Sequence, residues 1–353
     1  MQVGKLLGLL ILAGMGQILP SAAQDQFSGK RLTIVVGFAA GGGNDVAARL
    51  LARALPRHLA GEPSVIIQNM PGAAGATALG YLAHRAPKDG TVLAYDSWTP
   101  LEQVTSSHRP FDYLKMSLVA AMHGGPYVVF GRKDMVPGGM TRSADIAKAG
   151  QLIYGGQQPS LTLDIHGRIG LNILGINYKY IAGYVGAGLV RQALARGEVQ
   201  ITTHGLQGYR SGVEPDLVKS GVAMPLWYFP GRNKSGDFVP SPLVPDMPTF
   251  QDVYKQVRGD KKNELDWAAL ELMSDFYSVA HFLWAPPDAD PKALAVLRSA
   301  VQKSMADPEF IDEQKRVFGF AYTHVPQDEA EKIVSRLKNV PPELVEYFRK
   351  LMQ

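Results

Sequence analysis

Apolar residues in this chain cluster into short runs that are separated by glycine-rich loops from residue 31 onward. A run rich in Leu, Ile and Val, a loop of small residues and a stretch with helical spacing follow one another, and the same order then repeats. The six segments are residues 32–38, 39–45 and 46–55, then 64–69, 70–75 and 76–83. This pattern predicts two strand–loop–helix units. Each loop would bring a helix N-terminus, with unpaired N–H groups and little side-chain bulk, to a space that suits an anion such as a carboxylate.

The alternation continues through most of the chain. Strands are predicted at 91–95, 118–121, 126–130, 151–155, 178–181, 199–203 and 280–287, and helices at 141–150, 161–174, 188–196, 291–305, 327–337 and 342–352. Alternating strands and helices are typical of an α/β fold with a mainly parallel sheet and helices on both faces. Such sheets bind ligands at the carboxyl ends of their strands, where the glycine-rich loops lie.

Residues 230–275 interrupt this alternation. Prolines concentrate in residues 240–248 and charged side chains in residues 255–266. We interpret the whole segment as a surface excursion.

Composition narrows the class of protein. The 353 residues are 46% hydrophobic, which is enough for a substantial core, and the formal net charge is +4. The absence of a dense Lys and Arg tract gives no support for binding nucleic acid. The absence of Cys excludes a lipid-anchored lipoprotein and disulfide bonds.

Residues 1–23 have the layout of a secretory signal peptide. Lys5 gives the positive start, residues 6–15 form an apolar run, and residues 21–23 offer a small-residue cleavage site before Gln24. An uncleaved N-terminal anchor is the alternative. No second run of about 18 apolar residues follows, so we expect no direct membrane insertion of the mature chain. Its length of about 330 residues predicts two domains or one large one.

Motifs of common enzymes and cofactor sites are missing from the sequence. Residues 41–46 lack the last glycine of the dinucleotide-binding pattern, and neither a Walker A loop nor a Gly-x-Ser-x-Gly elbow occurs. The 8 histidines are not spaced as metal ligands. We therefore expect no catalytic residue, no metal and no cofactor. An α/β enzyme acting on a carboxylated or phosphorylated substrate is the alternative class.

A string of motifs gives the chain a family resemblance. In order, the matching positions are residues 40–45 (Ala-Gly-Gly-Gly-Asn-Asp), Ala48, Arg49, Val65, 69–75 (Asn-Met-Pro-Gly-Ala-Ala-Gly), 86–91 (Ala-Pro-Lys-Asp-Gly-Thr), 196–199, 244–249 and 282–287. In this order and spacing the string resembles the Bug family, the periplasmic solute-binding receptors of tripartite tricarboxylate transporters. The resemblance covers nearly everything from Arg31 to the C-terminus.

The resemblance implies a fold and a function. The fold is like the type II periplasmic-binding-protein fold, with two domains, each a mainly parallel sheet flanked by helices, joined by crossover strands at 127–130 and 280–284. Domain 1 would comprise residues 24–126 and 283–353, and domain 2 residues 127–282. The implied function is periplasmic capture of a small carboxylate in the interdomain cleft by hinge closure. A monomer would deliver this ligand to membrane permease subunits. A receptor that feeds a signalling system is the alternative.

The same resemblance assigns ligand contacts in domain 1. The family holds one ligand carboxylate largely through main chain, which points to the backbone of Ala40, Gly41, Gly42, Gly43 and Asn44 and of Gly72, Ala73, Ala74 and Gly75. Asp45 is either an acid of the first helical turn or an organiser of the loop around the ligand, and repulsion between carboxylates favours the structural role. Ser97 lies where the family places a hydroxyl, and Trp98 either stacks on a planar ligand or belongs to the core.

In domain 2 the loop after residues 151–155 departs from the family pattern. Gln157 and Gln158 bring amides that donate and accept hydrogen bonds. Either Ser160 or Thr162 takes the place of the hydroxyl that the family has in this loop.

Two further positions in domain 2 bear on the ligand. The loop at residues 182–186 keeps the Tyr184 and Gly186 of the family. His204 stands where amino-acid-binding relatives have an Asp that pairs with the ligand ammonium, so the resemblance predicts against an α-amino acid. The alternative is that His204 is an ordinary loop histidine.

Overall fold

The computed structural model describes residues 26–106, 109–233, 235–259, 264–276 and 279–353. The predicted signal peptide, residues 1–23, lies outside the described residues. Within the described ranges, the helices are all too short or too polar to cross a membrane.

Strands and helices alternate along most of the chain. The strands are β1 (Arg31–Val36), β2 (Ser64–Asn69), β3 (Val92–Asp96), β4 (Ser117–His123), β5 (Tyr127–Arg132), β6 (Leu152–Gly155), β7 (Tyr178–Ile181), β8 (Ile201–Gly205), β9 (Ala223–Tyr228), β10 (Gly231–Arg232), β11 (Phe238–Val239), β12 (His281–Ala285) and β13 (Thr323–Val325).

The α-helices are α1 (Gly43–Ala54), α2 (Ala76–His84), α3 (Pro100–Thr105), α4 (Thr162–Leu174), α5 (Ala187–Arg196), α6 (Leu206–Gly208), α7 (Phe250–Arg258), α8 (Glu264–Phe276), α9 (Pro291–Ala306), α10 (Pro308–Phe318), α11 (Gln327–Ser335) and α12 (Pro342–Leu351). Short 3₁₀ segments lie at Leu55–His58, Ala73–Gly75, Lys133–Met135, Ser143–Lys148 and Arg336–Asn339, and a π-helix at Tyr209–Val218. The helix predicted at residues 141–150 is thus a 3₁₀ segment, and the sequence pattern does not predict α3, α7, α8 or α10.

The first sheet has the strand order β13-β4-β12-β3-β1-β2. β1 pairs in parallel with β2 and β3, as the opening pattern predicts, and the strands from β12 to β13 continue the sheet in antiparallel pairs. Ile34 of β1 lies in one buried cluster with Leu50 of α1 and Leu297 of α9. Helices therefore pack on this inner strand, which agrees with its mostly apolar sequence.

The second sheet has the strand order β7-β6-β8-β5-β9. β6 pairs in parallel with β7 and β8, whereas β5 is antiparallel to β8 and β9. Ile165 and Ile169 of α4 are fully buried, as their helical spacing predicts. The α/β class with two helix-flanked sheets is confirmed, and both sheets are mixed, with parallel pairs on one side and antiparallel pairs on the other.

The chain passes from the first sheet to the second at residues 124–126, between β4 and β5, and is back in the first sheet at β12. β5 lies wholly in the second sheet and β12 wholly in the first. His281 is already paired with Met122 of β4. The domain boundary that the sequence predicts between residues 282 and 283 lies within β12, and it stays a prediction.

Residues 230–275 contain two well-packed helices, which corrects their interpretation as a surface excursion. α7 starts at a capping box in which Thr249 Oγ1 accepts a hydrogen bond from Asp252 N at 3.1 Å. Most of the apolar side chains of the two helices are buried: Phe250, Val253, Tyr254, Trp267, Leu270, Met273 and Phe276. Lys255 and Arg258 of α7 are exposed. The charged residues of the segment thus lie on the outer face of an amphipathic helix.

Candidate ligand-binding site

The loop between β1 and α1 is held by the buried carboxylate of Asp45. This carboxylate accepts hydrogen bonds from Gly41 N at 2.8 Å, Arg49 Nε at 2.9 Å and Asn69 Nδ2 at 2.8 Å. Burial raises the pKa of Asp45, but these hydrogen bonds outweigh burial and leave the pKa below its usual value. Asp45 is 1% exposed, so its position fits the structural role that the sequence favours.

The first turn of α1 presents free backbone donors. α1 begins at Gly43 without a side-chain cap. The first helical hydrogen bond runs from Val46 N to Gly42 O at 2.9 Å, so the N–H groups of Gly43 and Asn44 precede it. Together with the positive end of the helix dipole, such donors favour an anion.

The loop after β2 lies directly beside the loop after β1. Asn69 Nδ2 donates to Phe38 O at 2.9 Å. A Cβ on Gly37 would lie 2.5 Å from Gly75 Cα, so only glycine permits this approach. The sequence predicts two such loops side by side, and the fold places them so.

A cavity of about 780 Å³ opens at these loops. Its wall is formed by the segments that follow β1, β2 and β3 of the first sheet and β6, β7 and β8 of the second. These are the carboxyl ends of the parallel strands of both sheets. The volume lies within the range of about 300–1,000 Å³ that small-molecule sites have.

The predicted contacts divide into two groups. Those at the cavity wall are Gly41, Gly42, Gly43, Asn44, Gly72, Ala74, Ser97, Gln157, Gln158, Tyr184, Gly186 and His204. Those away from the wall are Ala40, Asp45, Ala73, Gly75, Trp98, Ser160 and Thr162. The glycine loops thus supply part of their length to the cavity, with residues 41–44 of the first loop and Gly72 and Ala74 of the second.

Trp98 lies in the core, which is one of the two roles that the sequence leaves open for it, and is not part of the cavity wall. Its side chain is 2% exposed, and its ring centroid lies 4.7 Å from those of Tyr113 and Phe282. Thr162 Oγ1 donates to Trp98 O at 3.2 Å, and Ser160 is hydrogen-bonded to Glu102. Both hydroxyls therefore join the two halves of the molecule.

His204 is buried and neutral at the cavity wall. Its side chain is 2% exposed and lies edge-on to Phe130, with ring centroids 5.0 Å apart. Burial, assisted by the positive charge of Arg191, lowers the pKa of His204 to about 3. Among the described residues neither ring nitrogen has a hydrogen-bond partner. At neutral pH His204 therefore offers a ligand one N–H and one lone pair but no charge.

Gln207, Tyr322 and His281 also line the cavity, although the sequence does not predict them. Tyr322 Oη donates to Gln207 Oε1 at 2.5 Å, which joins the segment before β13 to the turn after β8. His281 stacks on Tyr95 with ring centroids 5.2 Å apart, and burial lowers the pKa of His281 to about 4. Gln207 stands three residues after His204, so a strand-end rule could have included it, whereas Tyr322 and His281 reach the site only through folding.

Asp164 holds the loop of the second sheet from inside the protein. Its Oδ2 accepts from Gln157 N at 2.7 Å, Gln158 N at 3.0 Å and Tyr180 Oη at 3.1 Å. Burial raises the pKa of Asp164 to about 7 against the opposing effect of these hydrogen bonds. One buried carboxyl group therefore sets the path of the loop that carries both predicted glutamines.

The cavity wall is uncharged. Of the described residues that line it, none is Asp, Glu, Lys or Arg. The described parts of the chain also contain no group of three or more His, Cys, Asp or Glu side chains that could hold a metal ion. Polar contacts with a ligand would come from backbone N–H groups, hydroxyls, amides and neutral imidazoles.

This fold is similar to that of several proteins of known structure. Rpa4515 of Rhodopseudomonas palustris with adipate has a TM-score of 0.68 and 19% identity, over 91% of this chain and 97% of that chain. MatC (Rpa3494) of the same organism with bound malate has a TM-score of 0.64 and 19% identity, over 92% and 99%. The periplasmic binding protein BugD has a TM-score of 0.64 and 19% identity, over 91% and 97%. At these identities the similarity establishes the fold.

Sequence similarity points to the same group of proteins. The chain is 25% identical over 303 residues to the UPF0065 protein in the TAR-I ttuE-ttuC' intergenic region of Agrobacterium vitis, covering 84% of this chain and 78% of that protein. No protein-family model matches the chain. Because the UPF0065 proteins and BugD are Bug family proteins, the resemblance stated from the sequence is confirmed.

Proposed function

We propose that this protein is a solute-binding receptor that holds a small organic carboxylate in the cavity between its two sheets. The observation that carries the proposal is the uncapped start of α1 at the wall of a cavity whose described lining has no charged side chain. Backbone N–H groups can bind a carboxylate there without competition from a fixed anion. The relatives whose structures contain malate and adipate support this class of ligand.

The proposed mechanism is hinge closure around the ligand. The carboxylate docks first on the loops after β1 and β2, and Gln157, Tyr184 and His204 then complete the site from the second sheet. The hinge would consist of residues 124–126 and residues 279–280, which would divide the chain into domains that each contain one of the two large sheets. A ligand drives closure only if it binds the closed form more tightly than the open form.

The proposed setting is a periplasmic monomer that delivers its ligand to membrane permease subunits and catalyses no reaction. The predicted signal peptide supports the location, as does the name of BugD as a periplasmic binding protein. The sequence, which contains no recognisable catalytic motif, supports a binding role.

Isothermal titration calorimetry of residues 24–353 tests the proposed function. The ligands are malate, adipate, citrate, aromatic acids, amino acids and sugars, with a thermal-shift screen beforehand. We expect binding of a carboxylate at one site per chain, and at a hundredfold excess over Kd it should add about 2.7 kcal/mol of stability. Binding of sugars or amino acids alone, or of no member of the panel, would contradict the proposal.

A further inference from the structure

A polar side chain of the cavity lies at the start of α1. The side-chain amide of Gln207 lies against Gly43, so close that a Cβ on Gly43 would overlap it. His204 lines the same cavity and has both ring nitrogens unpartnered among the described residues while 98% buried (2% exposed). The free donors of α1 and the unused N–H of His204 together provide for one carboxylate.

A second carboxylate would meet no cationic side chain in this cavity. The described lining contains no Lys or Arg. Arg191, whose charge acts on His204, is not part of the lining and is paired with Asp216 at 3.5 Å. A second ionised group buried in this cavity would lose its hydration without gaining a counter-ion, which is unfavourable.

Much of the remaining wall is apolar. Side chains from both domains contribute to it: Phe38, Leu161, Leu163, Leu206, Phe318 and Phe320. Val185 and Val317 also line the cavity and are 79% and 39% exposed. Apolar side chains that border a cavity and remain in contact with water gain stability when an apolar ligand covers them.

We propose that the ligand is a monocarboxylate with an extended apolar body, of the medium-chain or arylalkanoic class. Its carboxylate binds at the start of α1 and at His204, and its body lies against the apolar wall between Leu161 and Phe320. This inference rests on the proposed receptor function and narrows it to one class of acid.

Calorimetry with a matched series of acids tests the inference on residues 24–353. The series is butanoate, hexanoate, octanoate and octanedioate, with malate and adipate as short diacids. We expect affinity to rise about fourfold for each added methylene from butanoate to octanoate. Octanoate should bind at least tenfold more tightly than octanedioate, because only the diacid buries a second charge.

A pair of valine substitutions tests the apolar wall. Val185→Asp, on an exposed loop, should weaken octanoate binding at least tenfold while the thermal unfolding midpoint stays near that of the wild type. The matched control is Val239→Asp on β11, which is 46% exposed and outside the cavity lining, and it should leave octanoate affinity unchanged.

Several results would overturn the inference. Three results would contradict a monocarboxylate with an apolar body: a diacid that binds more tightly than octanoate, an affinity that does not depend on chain length, or normal binding of octanoate to Val185→Asp. None of them would contradict the proposed function as a carboxylate receptor. If none of the acids binds, the proposed function fails with it.

Discussion

Replacing Gly42 with Val is the sharpest test of the first loop. Gly42 has φ −74° and ψ 164°, a conformation that any L-residue adopts. A Cβ there would meet only Ala39 O within 4 Å, at 3.3 Å. Gly42 is exposed and lines the cavity. A valine side chain would therefore stand in front of the free donors of α1 without requiring a new backbone path.

The expected loss follows from the hydrogen bonds at stake. A hydrogen bond to a charged group contributes about 1.5–3 kcal/mol, so the loss of two N–H contacts with a carboxylate costs about 3–6 kcal/mol. This corresponds to roughly 10²- to 10⁴-fold weaker binding. The fold should lose only about 1 kcal/mol, because Val is a poorer N-cap residue than Gly.

Calorimetry with the acid that binds best to the wild type measures this loss, and urea denaturation measures the stability. Gly42→Ser is the matched control, because Ser is small and is a favoured N-cap. The control should keep the stability of the wild type and its affinity within about tenfold. Wild-type affinity in Gly42→Val would refute the placement of the ligand carboxylate at the start of α1.

Four further substitutions test other parts of the site and the passage of the chain between the two large sheets. His204→Asp should weaken carboxylate binding at least tenfold at pH 7 through repulsion, and unchanged calorimetry would return His204 to the role of an ordinary loop residue. The pKa of Asp164 is about 7 when folded and about 3.9 when unfolded, so Asp164 costs stability as the pH rises from 4 to 7. In urea denaturation, the stability of Asp164→Asn relative to the wild type should therefore increase by about 2–3 kcal/mol between pH 5 and pH 8. A stability difference that does not change with pH would argue against a raised pKa of Asp164. Gly125→Ala should lose about 1–3 kcal/mol, because its Cβ would lie 2.6 Å from Leu206 Cβ. The control is Gly188→Ala in α5, where a Cβ meets nothing within 4 Å, and it should gain up to about 1 kcal/mol of stability. Equal changes in the free energy of unfolding for the two variants would contradict the close packing of Gly125 against Leu206.

Local features of the sequence determined the two opening units and the position of the anion-binding loops. The apolar run of β1 and the helical spacing of α4 are periodic signals that depend only on neighbouring residues. The glycine-rich loops at residues 39–45 and 70–75 are equally clear in the sequence, because glycine lets the backbone make tight turns. These signals, together with the order of motifs, were sufficient for the α/β class and the family resemblance.

Tertiary contacts decided the rest, because burial is a property of the whole fold. Trp98 and Ser97 are neighbours in sequence, yet one lies in the core and the other at the cavity. The apolar face of α8 packs against segments that are distant in the chain. The charged residues beside α8 therefore led to the prediction of a surface excursion. The neutral state of His204 and the arrival of Tyr322 at the cavity depend on which side chains surround them after folding, and no local pattern records that.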